Sequence, residues 1–104
     1  MKTQETKKFL IIYQDMCFDE SFTPERIQEL VKSHVDNARN LDSKGVLFLC
    51  GLLKGHEKGM FILNAKTYEE AESYVLKDPF IINKVYNYVI YEIKEANADN
   101  NYLL

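Results

Sequence analysis

Four short apolar runs, separated by two helix-start signals, fix what this chain can build. The runs are Phe9 to Tyr13, Val46 to Leu53, Gly59 to Asn64 and Val85 to Ile93. The first and last are rich in aromatic and β-branched residues, and all four read as strands. Between the first and second, Thr23-Pro24 sets a threonine N-cap before a proline in the first helical turn. Gly45 closes that helix in the C′ position, where glycine adopts left-handed backbone without steric cost. Between the third and fourth, Thr67-Tyr68-Glu69-Glu70 is a capping box that opens a shorter helix. Its inward residues are Ala71, Tyr74 and Val75, and Lys77-Asp78-Pro79 ends it. Lys54 to Lys58 is a polar hairpin connection with His56 at its solvated tip. The order predicts an α+β chain of the ferredoxin-like β-α-β-β-α-β type: a four-stranded antiparallel sheet with both helices on one face.

Such a sheet needs apolar residues on its helix side only. Here the strands are apolar on both sides: Phe9-Leu10-Ile11-Ile12-Tyr13 and Val46-Leu47-Phe48-Leu49 run without a break. Tyr86, Tyr88 and Ile90 alternate with Val85, Val89, Tyr91 and Ile93. A sheet greasy on both faces with helices on one must be covered by something else, and the simplest cover is a second copy. We therefore expect a homodimer through the sheet face.

At 104 residues the chain is expected to form a single domain, with a core over about residues 8–94, a polar N-terminal leader and a flexible, polar C-terminal tail from Glu95 to Leu104. With 46% hydrophobic and 28% charged residues it is not a disordered chain. A net charge of −3, with Lys7-Lys8 the only basic pair, argues against nucleic acid or an anionic membrane as a partner. Residues 1–8 are polar and the first apolar run is too short for a signal-peptide core, so a cytoplasmic location is expected. Cys17 and Cys50 form no metal or redox motif and are expected as reduced thiols, Cys50 packed in a strand as a small apolar residue.

His34 is the residue that points to chemistry. At 100° per residue along the helix from Pro24 to Ser43, the residues Ile27, Leu30, Val31, Ala38 and Leu41 fall within about 60° of it. Glu25, Glu29, Lys32, Asp36 and Arg39 point the other way. An imidazole aimed at the core needs a hydrogen-bond partner. A backbone carbonyl is one possibility. The chain's one side-chain candidate is Asp78, in Asp78-Pro79-Phe80. Asp78 also has a purely structural reading, because an Asp-Pro pair stops a helix and starts a turn.

With these residues in hand, the chain resembles the YCII-related (YciI-like) domain family, whose members form dimeric α+β barrels. The shared features are His34 and Gly45 in and after the first helix, Gly51 in the second strand and the glycine-bearing hairpin that follows. Glu70-Ala71 in the second helix and Asp78-Pro79-Phe80 before the last strand complete the match, which spans residues 8 to 94 or so. The resemblance implies a His34–Asp78 pair as the active site. Related barrels include isomerases, monooxygenases and dehalogenating lyases that act on small, often cyclic molecules. The sequence departs from the family at two places: Leu52 rather than proline follows Gly51, and Leu30-Val31-Lys32 lacks the arginine that often precedes the histidine. Both touch the pocket rim, so the family's substrates do not carry over.

The expected function is therefore a small-molecule enzyme using His34 and Asp78 for general acid–base chemistry, of isomerase or lyase/dehalogenase type. Phe80 is expected as an apolar wall of the substrate site, Tyr13 as a possible phenol donor or a core aromatic, and Gly51 on the rim. The alternative is a non-catalytic small-molecule-binding or regulatory dimer. No cofactor and no metal is expected: two histidines far apart without Cys-x-x-Cys make a poor zinc site, and no phosphate loop occurs. A Cys50–His34 nucleophilic pair requires both in one cleft.

Overall fold

A computed structural model describes residues 6–104. Its elements follow the expected order: β1 (Lys7–Gln14), α1 (Pro24–Ser43), β2 (Leu47–Leu53), β3 (Lys58–Ala65), α2 (Tyr68–Val75), α3 (Pro79–Ile82) and β4 (Asn87–Ile93). The strands form one antiparallel sheet in the order β2-β3-β1-β4.

The helix boundaries fall where the capping residues set them. Thr23 is extended and its side chain accepts from the Arg26 amide, with Pro24 in the first turn. Thr67 does the same for Glu70 at the start of α2. Gly45 follows α1 with φ +75°, and Gly55 turns the β2–β3 hairpin with φ +86°. His56 lies exposed in that hairpin, as expected.

Alternation along the strands divides the sheet into two faces. Phe9, Ile11 and Tyr13 of β1 and Phe61, Leu63 and Ala65 of β3 are buried on the helix side, where they pack with Leu41, Ala71 and Val75. Leu10 and Ile12 point the other way, opposite Ile62 of β3 and Tyr91 and Val89 of β4. Among the described residues no helix covers that second face. Phe48 is the extra residue in a register shift between Leu47 and Leu49, and it stands 58% exposed with the Lys8 ammonium 4.7 Å from its ring centre.

Three expectations need correction. Asp78-Pro79 ends α2 but also starts α3, a single turn that the pattern did not reveal. Val31 lies at the edge of the apolar stripe of α1 and is 45% exposed. Cys50 is exposed rather than packed, because β2 is an outer strand whose residues from Phe48 to Leu52 are all exposed. In the tail, Ala98–Leu103 forms tight turns capped by Asn97, with Asn101, Tyr102 and Leu103 in left-handed backbone.

Candidate active site

The site forms where α1 crosses α3. Arg26 near the start of α1 donates to Asn83 Oδ1 just after α3, at 2.8 Å, tying the two helices together. Two turns further along α1, the His34 Nδ1 stands 2.9 Å from both carboxylate oxygens of Asp78. A carboxylate can only accept, so Nδ1 carries the proton and Nε2 is the free nitrogen.

Asp78 serves two structures at once. It is the N-cap of α3, its Oδ1 accepting the Phe80 amide at 2.9 Å, and it is the partner of His34. It has no solvent exposure at all, whereas one fifth of the His34 side chain remains open. The Tyr13 hydroxyl supplies a further donor, to Oδ2 at 3.3 Å. Both readings of Asp78 offered by its sequence context therefore hold together: helix signal and histidine partner.

The imidazole is clamped by aromatic rings. Phe80 stacks on it at 4.4 Å between centroids with 23° between planes, and Phe61 lies tilted at 5.6 Å. Tyr13 meets it edge-on at 6.2 Å. His34 borders two cavities. One, of about 250 Å³, is lined by Tyr13, Val31, Gly51, Leu52, Phe80 and Tyr86 among others. The other, of about 330 Å³, lies towards β2, where Val35, Ala38, Leu47 and Cys50 surround it and Arg39 and Asp42 also contribute. Volumes of this size suit a single-ring molecule rather than a large cofactor.

The residues expected around His34 are thus gathered at one place: Asp78 on its nitrogen, and Phe80, Tyr13 and Gly51 around the first cavity. Cys50 shares the second cavity with His34. Phe61, Val31, Leu52 and Tyr86 line the first cavity without having been singled out. Phe61 was readable as a neighbour of Tyr13 only with the β1–β3 register known. Among the described residues no three metal-binding side chains come together.

The phenols at the site are neutral donors. Burial, and then the charge of Asp78, push the Tyr13 hydroxyl far above the ordinary tyrosine value. Burial followed by Glu57 raises that of Tyr86. The folded state keeps the Tyr13 proton while the unfolded chain releases it near pH 10. Stability contributed by Tyr13 is therefore full below that pH and is lost above it, at about 1.4 kcal/mol per pH unit. Tyr74 and Tyr88 are also raised, so the Tyr13 share is the difference in alkaline slope between the chain and Tyr13→Phe, measured by urea unfolding between about pH 9 and 11. Equal slopes exclude it.

Known structures place this architecture. The chain is similar to muconolactone isomerase, with a TM-score of 0.75 over 88% of this chain and 92% of that one, at 11% identity. It is also similar to 5-chloro-2-hydroxyhydroquinone dehydrochlorinase (TftG) from Burkholderia phenoliruptrix AC1100, solved with 2,5-dihydroxybenzoquinone, with a TM-score of 0.57 over 89% and 99% at 16% identity. The likeness is one of fold: α+β, with a four-stranded antiparallel sheet in the order β2-β3-β1-β4. No protein-family model and no curated protein matches the sequence. Among the described residues no helix is long and apolar enough to cross a membrane.

Proposed function

We propose that the chain is a cofactor-independent enzyme in which His34 and Asp78 move a proton on a small cyclic molecule. The observation that carries this is the pair itself: an imidazole one-fifth open, its Nδ1 held by a buried carboxylate, beside a cavity of single-ring size. Asp78 fixes the tautomer and stabilises the imidazolium, and Nε2 acts as general base. Abstraction of a proton next to a carbonyl or from a hydroxylated ring then leads to isomerisation or to loss of a leaving group. Phe80, Tyr13 and Gly51 bound the space in which the ring sits. An isomerase and a dehydrochlorinase on the same fold support the reaction class, and kinship with the YCII-related family is part of this reading.

The test is a thermal-shift screen of small cyclic ketones, lactones, phenols and quinols, followed by turnover assays of each binder. Binding with turnover that vanishes in Asp78→Asn supports the proposal. Binding without turnover of any binder makes the protein a ligand-binding domain instead.

The working unit in this reading is a cytoplasmic homodimer. Leu10, Ile12, Ile62 and Val89 form the centre of the helix-free sheet face, and Leu49 and Tyr91 flank them at 52% and 55% exposure. A charge placed there has no partner in a face-to-face dimer. The double change Ile12→Glu with Ile62→Glu is expected to weaken association by about a hundredfold or more while leaving the circular dichroism unchanged. Sedimentation equilibrium reads the result, and an unaltered dissociation constant rules out this face.

A further inference from the structure

Asp78 is sealed from solvent, so every hydrogen bond to its carboxylate must come from the protein. Three groups supply them. The Phe80 amide is fixed by the turn of α3, and the His34 Nδ1–H belongs to the reacting ring. The third is the Tyr13 hydroxyl. It builds no helix, and it points at the carboxylate rather than offering its proton to a ligand. We infer that Tyr13 is a positioning residue for the His34–Asp78 pair: its hydroxyl draws off part of the carboxylate charge and holds the carboxylate on Nδ1, keeping the proton there and the lone pair on Nε2. This deepens the reading of the pair as acid–base machinery and rests on it.

Geometry leaves the phenol little choice. Tyr13 lies on an inner strand, paired with Gly59 on one side and Tyr88 on the other. Its ring is held edge-on by Phe61 at 5.3 Å and Tyr86 at 6.1 Å, besides His34. Only 4% of the residue is exposed. A protonated phenol locked beside a carboxylate can only donate to it. The other titratable or charged groups facing His34 are Cys50 of β2, Arg39 and Asp42 of its own helix, and Tyr86 before β4. Of these only Tyr86 touches Tyr13, through its ring, which Tyr13→Phe keeps.

The test is an NMR titration of the His34 ring, with solvated His56 as internal control, in the full chain and three variants. Tyr13→Phe keeps the ring and removes the donor. The carboxylate charge is then concentrated on the imidazole, and the His34 midpoint is expected to rise by about one pH unit. Replacing Tyr13 with 3,5-difluorotyrosine makes a more acidic phenol and a stronger donor, and is expected to lower the midpoint. Opposite displacements from one position, with His56 unmoved, are not produced by a merely structural role. A His34 midpoint that stays put in both variants overturns the inference. The third variant, Asp78→Asn, separates the failures: if it too leaves the His34 midpoint and the Nδ1–H signal unchanged, the pair reading falls. If it moves them while the Tyr13 variants do not, only the role of Tyr13 falls.

Discussion

His34→Ala is expected to lower turnover of whichever cyclic substrate the screen identifies by about 10²–10⁴-fold, the usual range for a lost general base. The reason is specific to this site. Among the residues bordering the first cavity, His34 alone combines a free nitrogen with a buried carboxylate behind it; the others are apolar, glycine or neutral phenol. Alanine also leaves Asp78 buried with one donor fewer, so some stability goes with the activity. His34→Gln separates the two effects. Its amide can still donate to Asp78 but does not titrate, so it is expected to lose turnover as fully as alanine while losing less stability. A glutamine variant that keeps more than about a tenth of the rate would exclude acid–base chemistry at this position.

The largest effect on stability is expected at Asp78. Asp78→Ala removes the cap of α3 and leaves the Phe80 amide, the Tyr13 hydroxyl and the His34 Nδ1–H without their acceptor. A lost N-cap costs about 1 kcal/mol, and each stranded buried donor adds about 1–3 kcal/mol where water cannot reach it. His34 is partly open and recovers some of its loss. A total of about 3–5 kcal/mol is expected, read as a fall in the urea midpoint with little change in slope. Asp78→Asn retains one acceptor oxygen for the cap and is expected to lose about 1–2 kcal/mol. An alanine variant within about 1 kcal/mol of the unsubstituted chain would mean that these contacts contribute no net stability.

Most of the fold was legible because capping chemistry is local. Thr23-Pro24, Gly45 and Thr67 carry their instructions in the residues beside them, and α1 begins and ends where those residues say. Asp78-Pro79 was harder because the same two residues are a stop for one helix and a start for the next. Aspartate caps and proline opens a first turn as readily as proline breaks one. Asp78 was legible as the partner of His34 because an inward imidazole demands an acceptor and because the family resemblance pairs the two positions. The cavity walls were not legible in the same way. Val31, Leu52 and Tyr86 line it only because α1, β2 and the segment before β4 border one cavity. That meeting is a property of packing, not of any local pattern. Cys50 reads as a packed apolar residue because its strand is apolar throughout, and nothing in that local pattern says that β2 is an outer strand.

The irregularity at Phe48 also bears on how copies of this chain can meet. β2 is an outer strand with one side unpaired, the kind of border that invites a further strand from another molecule. An extra residue in its first half breaks the even spacing that lateral extension requires. Sideways polymerisation through this border is thereby discouraged.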